Sequence, residues 1–136
     1  MKALVLTGKE RVEMQEMPSP RAGPREVLLK VSTAGICGSD IHGFLGHSPR
    51  RKPGLILGHE AVGVVAELGS GVKNLRIGQR VYVNPLISCG KCEACAGGKE
   101  NCCASWRLLG MDRVHGAYAE FVSVPATQLR PIPSTD

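Results

Sequence analysis

The run Cys89-Gly90-Lys91-Cys92-Glu93-Ala94-Cys95-Ala96-Gly97-Gly98-Lys99-Glu100-Asn101-Cys102-Cys103 constrains this chain more than any other stretch. It gathers five of the six cysteines between positions 89 and 103. Thiolates take zinc tetrahedrally with Zn–S near about 2.3 Å, and short spacers let neighbouring thiolates reach one ion. The three-residue steps from Cys89 to Cys92 to Cys95 allow that. Gly97-Gly98 supplies the turn that brings back a fourth ligand, because glycine reaches positive φ without steric cost. Either Cys102 or Cys103 then closes the site. Disulfide frameworks belong to secreted, usually small, chains, and Met1 to Gly8 holds no apolar run of secretory-signal length. A ferredoxin pattern would continue with x3-Cys-Pro, whereas this chain continues Ala96-Gly97-Gly98-Lys99. Residues 89–103 are therefore expected to form a closed structural zinc loop, with no open position for a substrate.

Size and composition bound the rest. A chain of 136 residues is expected to make one domain with its own core. Its 43% hydrophobic and 21% charged content fit a soluble globular protein. No apolar run of spanning length occurs, so no membrane partner is expected. Free thiols in this number point to a reducing, cytoplasmic setting. The net charge of +5 comes from basic residues spread along the chain, with one tight cluster, Arg50-Arg51-Lys52. No aromatic residue sits in that cluster, and no nucleic-acid module is visible, so the cluster reads as a solvated loop and no nucleic-acid partner is expected.

Taken in order, the chain reads as short strands. Met1 to Thr7 is an opening strand, and Arg11 to Met17 alternates as a strand with one wet face. A proline-rich loop follows, then a more buried strand from Glu26 to Ala34. Ser39 or Asp40 can cap a short helix after Gly35-Ile36-Cys37-Gly38. Phe44 to Gly54 reads as an exposed loop. Ala61 to Leu68 is strand-like, with Gly63 marking a bend or a close backbone approach. Val81 to Val83 and Gly116 to Val124 read as further strands. The sum predicts a mainly β fold, a small, partly closed antiparallel barrel or sandwich with one or two short helices.

Cys37, His59 and Glu60 are the other potential ligands. A thiolate, an imidazole and a carboxylate can hold zinc while leaving one position open for an alcohol or water oxygen, whose pKa the ion lowers. Spacing alone does not decide this, since a lone cysteine is usually a buried core thiol.

The motifs carry a resemblance. Gly35-Ile36-Cys37-Gly38-Ser39-Asp40, Gly58-His59-Glu60-Ala61-Val62-Gly63 and the four-thiolate loop stand in the order seen in zinc-dependent medium-chain dehydrogenases. Glu67-Leu68-Gly69, Gly78-Gln79-Arg80-Val81 and Gly116-Ala117-Tyr118-Ala119-Glu120 add to it. Nearly the whole chain resembles their N-terminal catalytic domain. The Cys-Gly-Ser-Asp-x-His run is most similar to the polyol (sorbitol-type) and threonine dehydrogenases. The resemblance implies a GroES-like, partly open β-barrel with short helices and a zinc-binding loop. It implies a catalytic zinc on Cys37 and His59, with Glu60 as a direct ligand or as a neighbour that exchanges with water. Ser39 would hydrogen-bond the substrate hydroxyl, Asp40 would orient His59, and His42 would pass the proton to solvent. Cys89, Cys92, Cys95 and Cys103 would hold the structural zinc, leaving Cys102 a spare thiol. The implied reaction is oxidation of a secondary alcohol or polyol through a zinc-bound alkoxide, with hydride passing to NAD or NADP. Phe44 and residues 46–52 are expected to line the substrate side, and His47 and His115 to lie on the surface.

The sequence departs from the family in one respect. No Gly-x-Gly-x-x-Gly run followed by a helical pattern occurs; Gly69-Ser70-Gly71 lacks the third glycine. Ser134-Thr135-Asp136 reads as a cut in a longer chain. The expectation is a catalytic half without its Rossmann cofactor domain, inactive alone and monomeric, taken from a full-length protein that forms a homo-oligomer. The competing reading is a non-catalytic, zinc-stabilised binding module.

Overall fold

In the computed structural model, residues 1–133 are described, and the chain-end reading at 134–136 lies outside the described residues. In chain order the elements are β1 (Lys2–Gly8), β2 (Arg11–Glu16), β3 (Glu26–Gly35), α1 (Gly38–Phe44), β4 (Glu60–Leu68), β5 (Arg80–Val83), β6 (Leu86–Ile87), α2 (Glu93–Ala96), β7 (Arg107–Leu108), β8 (Phe121–Pro125) and β9 (Leu129–Pro131). Every strand pair is antiparallel.

The main sheet has the order β8-β3-β4-β5-β9. Its inward residues alternate along each strand. Val27 and Leu29 of β3, Ala61 and Val65 of β4, Val81 and Val83 of β5, and Val122 and Val124 of β8 form one buried cluster with Leu109 and Leu129. The β1–β2 ribbon closes against this sheet through the 54–57 and 118–120 segments. The N–H of Leu4 donates to the Tyr118 carbonyl at 2.8 Å, and that of Leu6 to the Leu55 carbonyl at 2.9 Å. The result is the mainly β architecture expected from the strand pattern, in the partly open form that the resemblance implies.

Several local expectations shift. The period-2 pattern of β2 predicts one covered face, yet Val12 and Met14 are 36% and 65% exposed. Among the described residues β2 pairs only with β1, and Met14 borders an open cavity with Ala34, Ile36 and Tyr118. Of the stretch 116–124, the first residues form only an isolated bridge, Ala3 with Ala119, and the strand proper begins at Phe121. Cys37, not Ser39 or Asp40, takes the N-cap position of α1; Asp40 contributes from the first turn by accepting the Cys37 N–H at 3.2 Å. Gly63 is a close approach, as expected: a Cβ there would lie 2.6 Å from the Lys30 carbonyl oxygen of β3.

The basic cluster is the largest correction. Arg51 is buried, 6% exposed, instead of solvated. Arg50 also leaves solvent in part. Its guanidinium lies 4.2 Å from the centre of the Trp106 ring and pairs with Asp112. A run of like charges reads as solvated only when no fixed partner awaits it, and here distant residues supply partners.

Candidate metal centres

The thiolate loop hangs from the β6–β7 pair. Short turns curl it: α2 holds Cys95, and Gly98, with φ +72, turns the chain toward Cys103. The sulfurs of Cys89, Cys92, Cys95 and Cys103 all lie within 4.8 Å of one another. Cys89 and Cys95 are 3.9 Å apart, Cys92 and Cys95 3.5 Å. A zinc tetrahedron with arms of about 2.3 Å has edges of about 3.8 Å, whereas a disulfide needs about 2.05 Å. The donor set therefore fits a tetrahedral ion. Cys103 is buried and belongs to this cluster, while Cys102 is exposed and does not.

Cys89, Cys92 and Cys95 titrate together. Cys89 is held down to about 6, first by the N–H of Lys91, then by the N–H of Cys92 and the thiol of Cys103. Cys92 is lowered, chiefly by the N–H of Cys95. Burial, followed by the bond shared with Cys92, pushes Cys95 up to about 11. Backbone donors thus favour sulfur anions in a cluster that cannot hold four of them without a cation.

The second cluster is made by sheet register. β3 pairs with β4 so that Gly35 stands opposite Glu60. The chain then leaves β3 through Cys37 into α1, while His59 and Glu60 open β4 directly across. Donor atoms of Cys37, His59 and Glu60 lie within 4.8 Å of one another. Gly35 leaves room for this carboxylate: a Cβ would lie 2.6 Å from Glu60 Oε2 and push it aside.

Asp40, 3% exposed, is the hub beneath. Its Oδ2 accepts the Cys37 N–H at 3.2 Å and the Tyr118 hydroxyl at 3.0 Å. Its Oδ1 accepts the Gly58 N–H at 3.4 Å and faces His59 Nδ1 at 3.3 Å. The His59 contact is close but out of line, so this buried nitrogen has no aligned hydrogen-bond partner. A cation on the other ring nitrogen would fix the proton at Nδ1, facing the Asp40 carboxylate, which is how carboxylates orient metal-binding histidines. The orphaned nitrogen, the soft–borderline–hard donor set and the carboxylate behind the ring all fit a zinc ion. Burial, and next the negative charge of Asp40, push the Tyr118 phenol above its ordinary range.

A cavity of about 330 Å³ opens on this cluster, lined by Thr33, Gly35, His59, Glu60, Tyr82 and Pro85 among others. Phe44 and residues 46–52 do not line it; Gly46, Ser48, Arg51 and Lys52 border a separate cavity of about 370 Å³. Ser39 Oγ accepts a hydrogen bond from Arg51 Nη2 at 3.1 Å, and no bond joins it to His42 among the described residues. His42 is exposed, its ring edge-on to His47 with centroids 5.9 Å apart. His47 and His115 are exposed, and His115 Nδ1 accepts the Ile56 N–H at 3.2 Å. Two neighbours of Asp40 escaped the sequence reading. Arg51 was hidden in a charge run, and Tyr118 appeared as a strand residue and within a motif of the resemblance, with no role of its own. The signal for Tyr118 is Gly58, whose missing side chain leaves room for the ring.

The model of the alcohol dehydrogenase GroES-like domain matches residues 23–134. The chain belongs to that family. An L-threonine 3-dehydrogenase from Xanthomonas oryzae pv. oryzae is 44% identical over 137 residues, covering 98% of this chain and 40% of that protein. Alcohol dehydrogenase TADH from Thermus sp. ATN1 superposes with a TM-score of 0.91 at 38% identity, covering 98% of this chain and 40% of that one. A cobalt- and zinc-bound thermostable alcohol dehydrogenase from Pyrobaculum aerophilum gives 0.89 at 32% identity, over 96% and 40% of the two chains. This alcohol dehydrogenase GroES-like domain therefore spans about 40% of the length of the relatives it matches. No helix among the described residues is long and apolar enough to cross a membrane.

Proposed function

We propose that these 136 residues are the catalytic-domain portion of a zinc-dependent NAD(P) oxidoreductase that oxidises a secondary alcohol or polyol. The observation that carries this reading is the meeting of Cys37, His59 and Glu60 within 4.8 Å at a cavity, above a buried Asp40. A zinc held there supplies a Lewis acid that makes an alcohol proton easier to remove. Cys37 and His59 hold it, with Glu60 as a third donor or an exchanging neighbour. Asp40 keeps the His59 ring aimed and the Cys37 backbone fixed. Ser39 hydrogen-bonds the substrate's hydroxyl and begins a proton relay, passing its own proton on as it takes the substrate's, with the exposed His42 as the outlet to solvent. Cys89, Cys92, Cys95 and Cys103 hold a second, structural zinc and take no part in the chemistry.

The hydride acceptor is NAD or NADP. No glycine fingerprint for it occurs in these residues. The nicotinamide fold is accordingly assigned to another part of the protein, and the 136-residue chain alone is expected to bind zinc without turnover and to be a monomer. The whole enzyme is proposed to be a cytoplasmic homo-oligomer.

Elemental analysis of the purified chain tests the reading. Two zincs per chain, with one lost selectively in Cys37→Ala and the other in Cys92→Ala, is the expected result. One zinc that Cys37→Ala leaves untouched overturns the catalytic assignment in favour of a zinc-stabilised binding module.

A further inference from the structure

Arg51 is a buried cation with no part in the site so far. It comes from a loop, yet it is 6% exposed. Its stem crosses α1 at Gly43, where an added Cβ would overlap Arg51 Cδ and lie 3.1 Å from Arg51 Cβ. Gly43 is thus a slot through which a loop arginine reaches the first turn of the helix. Inside, Nη2 donates to Ser39 Oγ at 3.1 Å. Nε lies 4.0 Å from Asp40 Oδ1 and has no hydrogen-bond partner. Burying a guanidinium with its Nε–H unpaired is costly, and an apolar side chain would fill the slot at less cost.

The consequence falls on Ser39. A hydroxyl has one proton and two lone pairs. The guanidinium can only donate, so it takes one lone pair and turns the hydroxyl proton away from itself. We infer that Arg51 is a positioning residue that locks the Ser39 hydroxyl, leaving its second lone pair free to accept the substrate's O–H and its own proton free to pass on toward solvent. This rests on the dehydrogenase reading above. Sequence proximity could not show it, because Arg51 lies twelve positions from Ser39 and reads as part of a solvated run.

The test uses the chain with zinc in the thiolate loop and cobalt(II) in the Cys37 site, whose visible absorption reports the ion's surroundings. Trifluoroethanol is the probe, and its affinity is read from the shift of the cobalt band. Arg51→Met is expected to keep the band and weaken trifluoroethanol by about tenfold, the size of one charge-assisted hydrogen bond. Ser39→Ala should weaken it as much, and the double variant no further, because Arg51 acts through Ser39. Arg51→Lys, which keeps a donor, should recover part of the loss. Gly43→Ala leaves the charge but blocks the slot, so it should also weaken the probe; it carries the same test if Arg51→Met does not fold. Unchanged affinity in both Arg51→Met and Gly43→Ala, additive losses in the double variant, or loss of the cobalt band in Arg51→Met each overturns the inference. A parent whose spectrum matches that of Cys37→Ala overturns the dehydrogenase reading itself, and the inference falls with it.

Discussion

Two glycines with nearly the same backbone separate strain from packing. Gly58 has φ +92 and Gly54 φ +93. An added Cβ meets nothing within 4 Å at Gly54, but at Gly58 it lies 2.5 and 2.7 Å from Tyr118 Cδ1 and Cε1. An alanine held at left-handed φ costs about 1–2 kcal/mol, and Gly54→Ala should show only that. In Gly58→Ala the Tyr118 ring has two choices. If it stays, the overlap costs about 1–3 kcal/mol. If it moves, its hydroxyl leaves Asp40, and a hydrogen bond to a carboxylate is worth about 1.5–3 kcal/mol. Either route adds roughly 2 kcal/mol, so Gly58→Ala should cost about 3–4 kcal/mol in all, a large part of the roughly 5–15 kcal/mol that stabilises a typical domain. Urea unfolding followed by Trp106 fluorescence measures both variants against the parent. Zinc per chain should fall by one in Gly58→Ala, because His59 is the next residue, and stay unchanged in Gly54→Ala. Unfolding free energies within about 1 kcal/mol of each other, with zinc retained in both, would refute the claim that Tyr118 packs Gly58 onto Asp40.

Three further outcomes follow from the same geometry. Cys102→Ala should leave the structural zinc in place, while Cys103→Ala should release it, as read by elemental analysis. Asp40→Asn should weaken the Cys37–His59 metal by about 10–100-fold, the usual scale for a carboxylate behind a ligating histidine, measured by chelator competition. The metal-free loop should respond to pH from both sides. Cys89, lowered from 9.0 to about 6, contributes stability that is full above about 9 and lost as pH falls through about 6. Cys95, raised from 9.0 to about 11, contributes stability that is full below about 9 and lost as pH rises through about 11. These two groups place the stability maximum of the zinc-free loop near pH 9, checked by thermal unfolding across pH with ultraviolet thiolate absorbance. Zinc requires all four thiolates, so acid should release it and alkali should not.

What the sequence disclosed depends on how local each feature is. The thiolate loop was legible because its ligands lie close together along the chain and need only turns to converge. The longer strands were legible from alternation, although both apolar side chains of β2, Val12 and Met14, stay exposed, while the short strands β6, β7 and β9 left too few residues for a pattern. Cys37 and His59 were harder. They lie on different strands' ends, and spacing alone left them an ordinary core thiol and an ordinary histidine; only matching motifs joined them. Arg51 and Tyr118 were illegible as partners of Asp40, because their meeting is made by three separate segments. The traces they left were glycines: Gly43 in a helix, where glycine is unfavourable, and Gly58 at a loop end.

The register that builds the second site depends on two offsetting bulges, one at Ala66 of β4, between the Leu28–Glu67 and Leu29–Val65 pairs, and one in β3. Val31 pairs with Gly63, but the next pair is Thr33 with Val62, so Ser32 is a bulge. Without it, Glu60 would stand opposite Ala34 instead of Gly35, and the following residues of β3 would turn to the other face. The observed register places Glu60 where its partner has no side chain, and Glu60 Oε2 occupies the space a Gly35 Cβ would fill. Gly63, just across from the bulge, lets β4 close onto the Lys30 carbonyl. Bulge, Gly63 and Gly35 therefore act together: the first sets the offset, the second lets the strands meet, and the third leaves room for the carboxylate. The thiolate loop needs no such arrangement, which is why it announces itself in the sequence while the site with an open cavity is hidden in the sheet.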